Sequence, residues 1–214
     1  MDAPHLQGLY AVTPDTLDDA WLAERVEQAL RGGACAVQYR SKHADAQLRR
    51  RQAQRLLHAC RVHGALFFVN DDVDLAFELG AGGVHLGRED MPVAAARARL
   101  GRDALVGASC YDDLARAERA AQAGADYLAF GSFFPSAVKP GAVRAPLELL
   151  RQARRRWRLP LVAIGGIDRD NAARVIEAGA DALAVITALF GVPDTFSAAC
   201  AFSRLFQQPT MPAL

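Results

Sequence analysis

The chain has 214 residues, of which 51% are hydrophobic and 23% are charged, and its formal net charge is +1. These values are typical of a globular domain. A net charge this small gives no overall field that would draw the chain to nucleic acid or to a membrane surface. We find no apolar run long enough to cross a bilayer and no secretion signal, so we expect a cytoplasmic protein.

Short apolar runs alternate with longer amphipathic stretches along the whole chain. Residues 16–30 illustrate the helical stretches, with Trp21, Leu22, Val26 and Leu30 recurring on one face. The apolar runs predict parallel strands that are buried on both faces. The eight strand candidates are residues 8–12, 36–40, 66–69, 83–86, 105–109, 127–130, 161–164 and 182–186.

Eight repeated strand–helix units in about 200 residues favour a closed barrel over an open doubly wound sheet. Segments such as AGADYLAFGS and AGADALAVIT resemble each other, as repeated units of this kind would. No linker rich in Pro, Gly or Ser divides the chain. The sequence therefore predicts an α/β fold, a (β/α)₈ TIM barrel with a parallel closed sheet, formed by residues 1–214 as a single catalytic domain.

Carboxylates stand where two neighbouring strands end, at the face of such a barrel where active sites lie. Asp71 follows the third strand and Asp90 follows the fourth. Mg²⁺ commonly takes one or two carboxylates and completes its shell with water and substrate phosphate. Alternatively, Asp71 or Asp72 caps one following helix and Asp90 caps the next. Asp72 is the better cap of the first pair, and metal binding by Asp71 and Asp90 stays open at this point.

Basic residues lie on the same face of the predicted barrel. Arg40 and Lys42 follow the second strand, and Lys139 lies in the loop after the sixth. Only two of the 25 basic residues, Lys42 and Lys139, are lysine, which suggests positions that need a compact ammonium group. Solvated loop charges are the alternative. Together with a metal ion, these cations could stabilise charge that builds on a leaving diphosphate.

A phosphate site is expected between the last two strand ends. Gly165 and Gly166 follow the seventh strand, and Thr187 follows the eighth. TIM barrels often bind phosphate between these loops, where glycine lets backbone N–H groups approach an anion. A simple tight turn is the alternative. His85 is interpreted as a barrel-wall residue, and Cys110 has no local partner that would make it a nucleophile.

Seven segments, in this order, resemble thiamine phosphate synthases. They are QYRSK at 38–42, VNDDVDLA at 69–76, GVHLGRED at 83–90, GASC at 107–110, GSFFPSAVKPGA at 131–142, AIGGI at 163–167 and AVIT at 184–187. The resemblance implies a transferase that condenses 4-amino-5-hydroxymethyl-2-methylpyrimidine diphosphate with hydroxyethylthiazole phosphate. It also implies a dissociative reaction, in which diphosphate leaves the pyrimidine methylene before the thiazole nitrogen attacks, assisted by one Mg²⁺ per active site.

The resemblance also implies a role for each matching residue. Asp71 and Asp90 would hold Mg²⁺, while Arg40, Lys42 and Lys139 would hold the diphosphate and act in catalysis together with Ser109 at the reacting pyrimidine. Gln38 and Asn70 would bind the pyrimidine or its diphosphate. The residues implied for the thiazole phosphate and the nearby diphosphate are Ser136, Gly165, Gly166, Ile186 and Thr187.

The chain departs from the family pattern at Asp72, Arg88, Val138 and Tyr111, where Arg, Gln, Thr and His are usual. Two alternatives are a thiazole tautomerase-like barrel and a non-catalytic sensor of a phosphate ligand. Neither explains the aspartates, the lysines and Arg40 together. We expect small-molecule partners without nucleic acid or membrane, and a homo-oligomer stays open.

Overall fold

The computed structural model describes residues 6–135 and 143–207. Eight strands form one closed sheet in which each strand pairs in parallel with the next and the last pairs with the first. This confirms the predicted TIM barrel. The strands are β1 (Gly8–Val12), β2 (Ala34–Tyr39), β3 (Leu66–Asn70), β4 (Gly83–Leu86), β5 (Leu105–Tyr111), β6 (Tyr127–Phe130), β7 (Leu161–Ile164) and β8 (Ala182–Val185).

Helices follow the strands and cover the outside of the barrel. They are α1 (Asp19–Arg31), α2 (Ala46–His63), α3 (Val73–Leu79), α4 (Val93–Leu100), α5 (Leu114–Gln122), α6 (Leu147–Arg156), α7 (Ala172–Glu177), α8 (Thr187–Phe190) and α9 (Thr195–Arg204). None of those in the described ranges has both the length and the apolar character that a bilayer span would need.

The predicted boundaries agree with the structure to within two residues for every strand. The first helix differs more, because it begins at Asp19 instead of residue 16. The Asp18 carboxylate accepts a hydrogen bond from the Trp21 backbone N–H at 2.9 Å, which fixes Asp18 as the N-cap. The apolar pattern locates the helix, and this polar side chain decides where it begins.

The apolar core has two layers. Side chains that point outward from the strands pack against the helices, and they form the larger cluster. Side chains that point inward fill the barrel and include Tyr10, Phe68 and Tyr127, whose rings contact one another at centroid distances of 5.3–6.1 Å. Because every strand pairs in parallel with its neighbours, the carboxyl ends of all eight strands meet at one rim of the barrel.

Candidate active site

A cavity of about 900 Å³ opens at the carboxyl ends of the strands. This is the face of a TIM barrel where active sites form. Eight of the residues predicted from the sequence line it, and they come from five different strands or the loops after them. These residues are Gln38, Arg40, Asn70, Ser109, Gly165, Gly166, Ile186 and Thr187.

Asp71, Asp90 and Lys42 lie beside this cavity without lining it. Asp71 follows Asn70, which does line the cavity, and the Lys42 ammonium group pairs with the Asp71 carboxylate. The carboxyl groups of Asp71 and Asp90 are close enough that each shifts the pKa of the other. The structure therefore brings together the two carboxylates and one of the cations that the sequence indicated separately.

The capping alternatives are now decided for these aspartates. Asp72 caps α3 by accepting from the Leu75 backbone N–H at 2.9 Å, as expected, and leaves Asp71 free of that role. Asp90 does not cap α4, which begins at Val93 with no side-chain cap. Its carboxylate instead accepts from the Gly87 backbone N–H at 2.6 Å.

Asp71 has an unusual backbone conformation for a residue other than glycine, with φ at +66°. Its backbone N–H donates to the His85 carbonyl at 2.9 Å, which ties the end of β3 to β4. Positive φ in a non-glycine residue costs about 1 kcal/mol or more and is common at functional sites. Asp71 thus occupies the turn between the end of β3 and the N-cap of α3 at Asp72.

The two carboxyl groups differ in their affinity for a proton. Burial favours the protonated form of Asp71, but its hydrogen bonds with Asp90 and Lys42 outweigh burial, so the pKa of Asp71 is lowered. The pKa of Asp90 is raised, first by burial and then by the hydrogen bond to Asp71. Two carboxylates this close repel each other when both are ionised, which creates a demand for a cation.

This carboxylate pair is also the strongest metal-binding candidate that the structure offers. Within residues 6–135 and 143–207, no group of three or more His, Cys, Asp or Glu side chains converges on a point suited to a metal ion. Two carboxylates beside a cavity suit Mg²⁺, which usually keeps water and substrate phosphate as further ligands.

The loop after β2 is anchored to the loop after β1. The Thr13 hydroxyl accepts from the Arg40 backbone N–H at 2.9 Å, and the Asp15 carboxylate accepts from the Lys42 backbone N–H at 3.0 Å. Arg40 also lines a smaller neighbouring cavity of about 290 Å³, which it shares with Ile186 and Thr187. Arg40 thus lines both cavities together with Ile186 and Thr187 from the end of β8.

Gly165 and Gly166 have a packing role that the sequence did not reveal. Both have positive φ, and a Cβ atom on either would overlap the segment 132–135 after β6, with the closest approaches at 2.0 and 2.3 Å. The Phe134 backbone N–H donates to the Gly165 carbonyl at 3.0 Å. The glycine pair therefore joins the loops after β6 and β7, whether or not it also binds a phosphate.

Sequence reasoning missed several residues of this site. Arg88 and Tyr111 line the cavity, and the Arg88 guanidinium lies 4.8 Å from the centre of the Tyr111 ring. Both had stood out only as departures from the family pattern. His85 was expected in the barrel wall, and it does lie there, but its Nε2 is 2.8 Å from the Ser109 hydroxyl.

Three further predictions have different outcomes. Ser136 and Lys139 lie outside the described residues. Cys110 is fully buried, and burial raises the pKa of its thiol to about 12. A thiol with that pKa is protonated at neutral pH and is a poor nucleophile.

Comparison with known proteins gives consistent matches over nearly the whole chain. A family model described as thiamine monophosphate synthase matches residues 9–189. A thiamine-phosphate synthase from Chromobacterium violaceum is 57% identical over 203 residues, covering 95% of this chain and 98% of the relative. Another, from Thioalkalivibrio sulfidiphilus, is 55% identical over 204 residues, covering 94% and 96%. The solved thiamine phosphate pyrophosphorylase from Pyrococcus furiosus superposes with a TM-score of 0.86 at 38% identity, covering 95% of this chain and 97% of that one.

Proposed function

Because this chain belongs to the thiamine-phosphate synthase family of transferases, we propose that it condenses 4-amino-5-hydroxymethyl-2-methylpyrimidine diphosphate with hydroxyethylthiazole phosphate in a dissociative substitution assisted by Mg²⁺. The family predicted from the sequence motifs is confirmed by these matches. The chain is an enzyme, so a non-catalytic phosphate sensor is set aside. The tautomerase-like alternative gains no support from relatives that are named synthases.

The reaction exchanges one bond for another at the pyrimidine methylene carbon. The bond from this carbon to the diphosphate oxygen breaks, and its electron pair leaves with the diphosphate. The thiazole nitrogen then supplies the electron pair of the new carbon–nitrogen bond. Such a reaction needs no nucleophilic side chain, but it needs positive charge at the leaving group and two substrates held in line.

The carboxylate pair beside the cavity is the observation that carries the proposal. Asp71 and Asp90 would hold Mg²⁺, and this pairing fits the carboxylate repulsion described above. When bound, the ion would supply positive charge to the diphosphate oxygens. Lys42, with its side chain 49% exposed, pairs with Asp71 and is free enough to turn toward a phosphate.

The remaining residues divide the cavity between the two substrates. Gln38, Asn70 and Ser109 would bind the pyrimidine, since they lie on the inner wall at the ends of β2, β3 and β5. Arg40 would contact the leaving diphosphate. Gly165, Gly166, Ile186 and Thr187 line the opposite side, where the first N–H groups of α8 have no partner inside their own helix and suit the thiazole phosphate.

The test is a direct assay with purified protein, both substrates and Mg²⁺, in which thiamine phosphate is detected as the product. We expect product with Mg²⁺, none with EDTA, and recovery when excess Mg²⁺ is added back. Asp71→Ala should lose most of the activity and its response to Mg²⁺. Asp103→Ala, which removes an exposed carboxylate before β5, serves as the control.

Two results would contradict different parts of the proposal. Product formation that EDTA leaves unchanged would contradict the role of Mg²⁺ in the proposal but would leave the condensation reaction in place. No product from folded protein, together with isomerisation of a thiazole phosphate substrate, would favour the tautomerase-like alternative.

A further inference from the structure

A chain of five hydrogen-bonded side chains crosses the inside of the barrel. The Gln38 Nε2 donates to the Tyr10 hydroxyl at 3.0 Å, and the hydroxyls of Tyr10 and Tyr127 are 2.9 Å apart. The Tyr127 hydroxyl is 2.9 Å from His85 Nδ1, and His85 Nε2 is 2.8 Å from the Ser109 hydroxyl. Gln38 and Ser109, the two ends of the chain, both line the cavity.

The middle of this chain is buried in apolar surroundings. Tyr10 and Tyr127 are each 1% exposed, and Phe68 packs against both rings. TIM-barrel interiors are usually filled by branched aliphatic side chains, so filling space does not require these hydroxyl groups. A buried polar group without a partner costs free energy of folding. This row of hydrogen-bonded side chains is therefore stable only when every member is paired and all the bonds run in one consistent direction.

The Gln38 amide N–H donor at one end and the number of protons along the row together fix the direction of each hydrogen bond. Burial raises the pKa of both tyrosines, so each keeps its single hydroxyl proton at neutral pH. Tyr10 accepts from Gln38, and its own proton therefore goes to Tyr127. The proton of Tyr127 must then go to the next member of the chain, His85 Nδ1.

A neutral imidazole that accepts at Nδ1 carries its proton on Nε2. The Nε2–H then donates to the Ser109 oxygen, so the Ser109 proton is left to point elsewhere. Because Ser109 lines the cavity, that proton is available to a bound ligand. The His85 ring also stacks on the Tyr127 ring, with centroids 5.6 Å apart and planes 20° apart, which favours a single ring orientation.

We propose that Tyr10, Tyr127 and His85 are positioning residues that hold His85 as its Nε2–H tautomer, so that Ser109 donates its hydroxyl proton to a ring nitrogen of the pyrimidine substrate. The substrate part of this inference rests on the proposed function. The assignment of the His85 tautomer does not rest on that function, because it follows from hydrogen bonds within the protein itself. If every hydrogen bond ran in the opposite direction, Ser109 would donate its proton to His85. It would then offer only oxygen lone pairs to a ligand, and these would repel the lone pair of a ring nitrogen.

The first measurement is the tautomer of His85 in ¹⁵N-labelled protein without substrate. Long-range proton–nitrogen NMR spectra distinguish a protonated ring nitrogen from an unprotonated one, and His85→Gln identifies the His85 signals. We expect Nε2–H in the wild type and a mixture of tautomers in Tyr127→Phe, where Nδ1 has lost its donor. An Nδ1–H tautomer or a doubly protonated ring in the wild type overturns the inference.

The second measurement compares KM values for the two substrates. Tyr127→Phe should raise KM for the pyrimidine diphosphate about fivefold, the effect of one hydrogen bond of ordinary strength. It should leave KM for the thiazole phosphate within about twofold, since that substrate has no contact with Ser109 in the proposed arrangement. An equal rise in both KM values would indicate a general packing defect and would overturn the inference.

Tyr39→Phe is the matched control. Tyr39 is also buried, follows Gln38 directly and donates to the Gln52 side chain at 2.7 Å, but it packs on the outer side of the barrel. It should lose a similar amount of stability without changing the His85 tautomer or either KM. His85→Gln, which can keep an N–H donor near Ser109, should retain more affinity for the pyrimidine diphosphate than His85→Leu.

The calorimetric affinity of the wild type for the pyrimidine diphosphate separates the two proposals. A wild type that does not bind this substrate overturns both the proposed function and the role of Ser109. A wild type that binds it with the same affinity as Tyr127→Phe overturns the inference alone.

Discussion

Asp90 is held next to another carboxylate, and this arrangement has opposite effects on stability and on activity. Its pKa is raised by burial and by Asp71. The stabilisation from protonated Asp90 is therefore present at low pH and is lost as the pH rises through the raised pKa. At pH 7 Asp90→Asn should mimic the protonated form and raise the Tm of the metal-free protein by about 2 °C, while it removes the activation by Mg²⁺.

Thermal unfolding in EDTA and in Mg²⁺ checks this prediction. The wild type should gain stability with Mg²⁺, because a ligand that binds only the folded state raises Tm. Asp90→Asn should not gain it, whereas the surface variant Asp103→Asn should behave like the wild type in both buffers. A lower Tm for Asp90→Asn in EDTA would mean that the two carboxylates do not repel each other.

At the same scale, the sequence indicated polar residues at the strand ends more readily than polar residues inside the barrel. Asp71, Lys42 and Asp90 stand one, three and four residues after a strand ends, and charge at such positions is conspicuous in any sequence. Tyr10 and Tyr127 lie within strands that are apolar throughout, where nothing distinguishes an inward from an outward side chain. Their hydrogen bonds depend on the closure of the barrel, since 117 residues separate Tyr10 from Tyr127.

Among the elements, the strands were predictable because apolar runs bounded by polar residues set their length. Half of the eight strands have the predicted boundaries, and β5 is longer than predicted because it continues beyond Ser109 through an irregularity in its pairing with β6. The contact between the loops after β6 and β7 was not predictable. It depends on how closely two backbones approach at Gly165 and Gly166, which no local pattern records.

Gly166→Ala should show how much the contact between these two loops contributes to the free energy of unfolding. An added Cβ would lie 2.3 Å from the Pro135 carbonyl oxygen and 2.7 Å from that of Phe134, so the segment 132–135 would have to move. Gly64→Ala is the matched control, because Gly64 has φ at +66° against +64° for Gly166 and has nothing within 4 Å of an added Cβ. In both variants the positive φ of the new alanine should lower the free energy of unfolding by about 1 kcal/mol. In Gly166→Ala the overlap should lower it by roughly 2 kcal/mol more.

Urea unfolding gives the two stabilities, and kinetics show whether the loop contact matters for function. Gly166→Ala should also raise KM for the thiazole phosphate, while Gly64→Ala should leave it unchanged. Equal losses of stability in the two variants would show that the segment 132–135 adapts without cost.

At the scale of the whole molecule, the closed sheet predicts that the two halves of the barrel unfold together. The halves β1–β4 and β5–β8 share two seams, one between β4 and β5 and the other between β8 and β1. The C-terminal helix α9 packs on α1 and adds a further link, with the Ser203 hydroxyl donating to the Gly32 carbonyl at 3.0 Å. Separating the halves would expose both seams and the shared core, so a stable half-barrel is not expected.

The two tryptophans report on different halves, which makes this prediction testable. Trp21 lies on α1, and Trp157 follows α6 and stacks on Phe130 at a centroid distance of 6.5 Å. In Trp157→Phe only Trp21 fluoresces, and in Trp21→Phe only Trp157 does. Within each variant, the fluorescence and the far-UV circular dichroism should give the same urea midpoint, a comparison that does not depend on how the substitution itself changes stability. Different midpoints in either variant would show that one half unfolds first, and the prediction of a single domain would then be wrong.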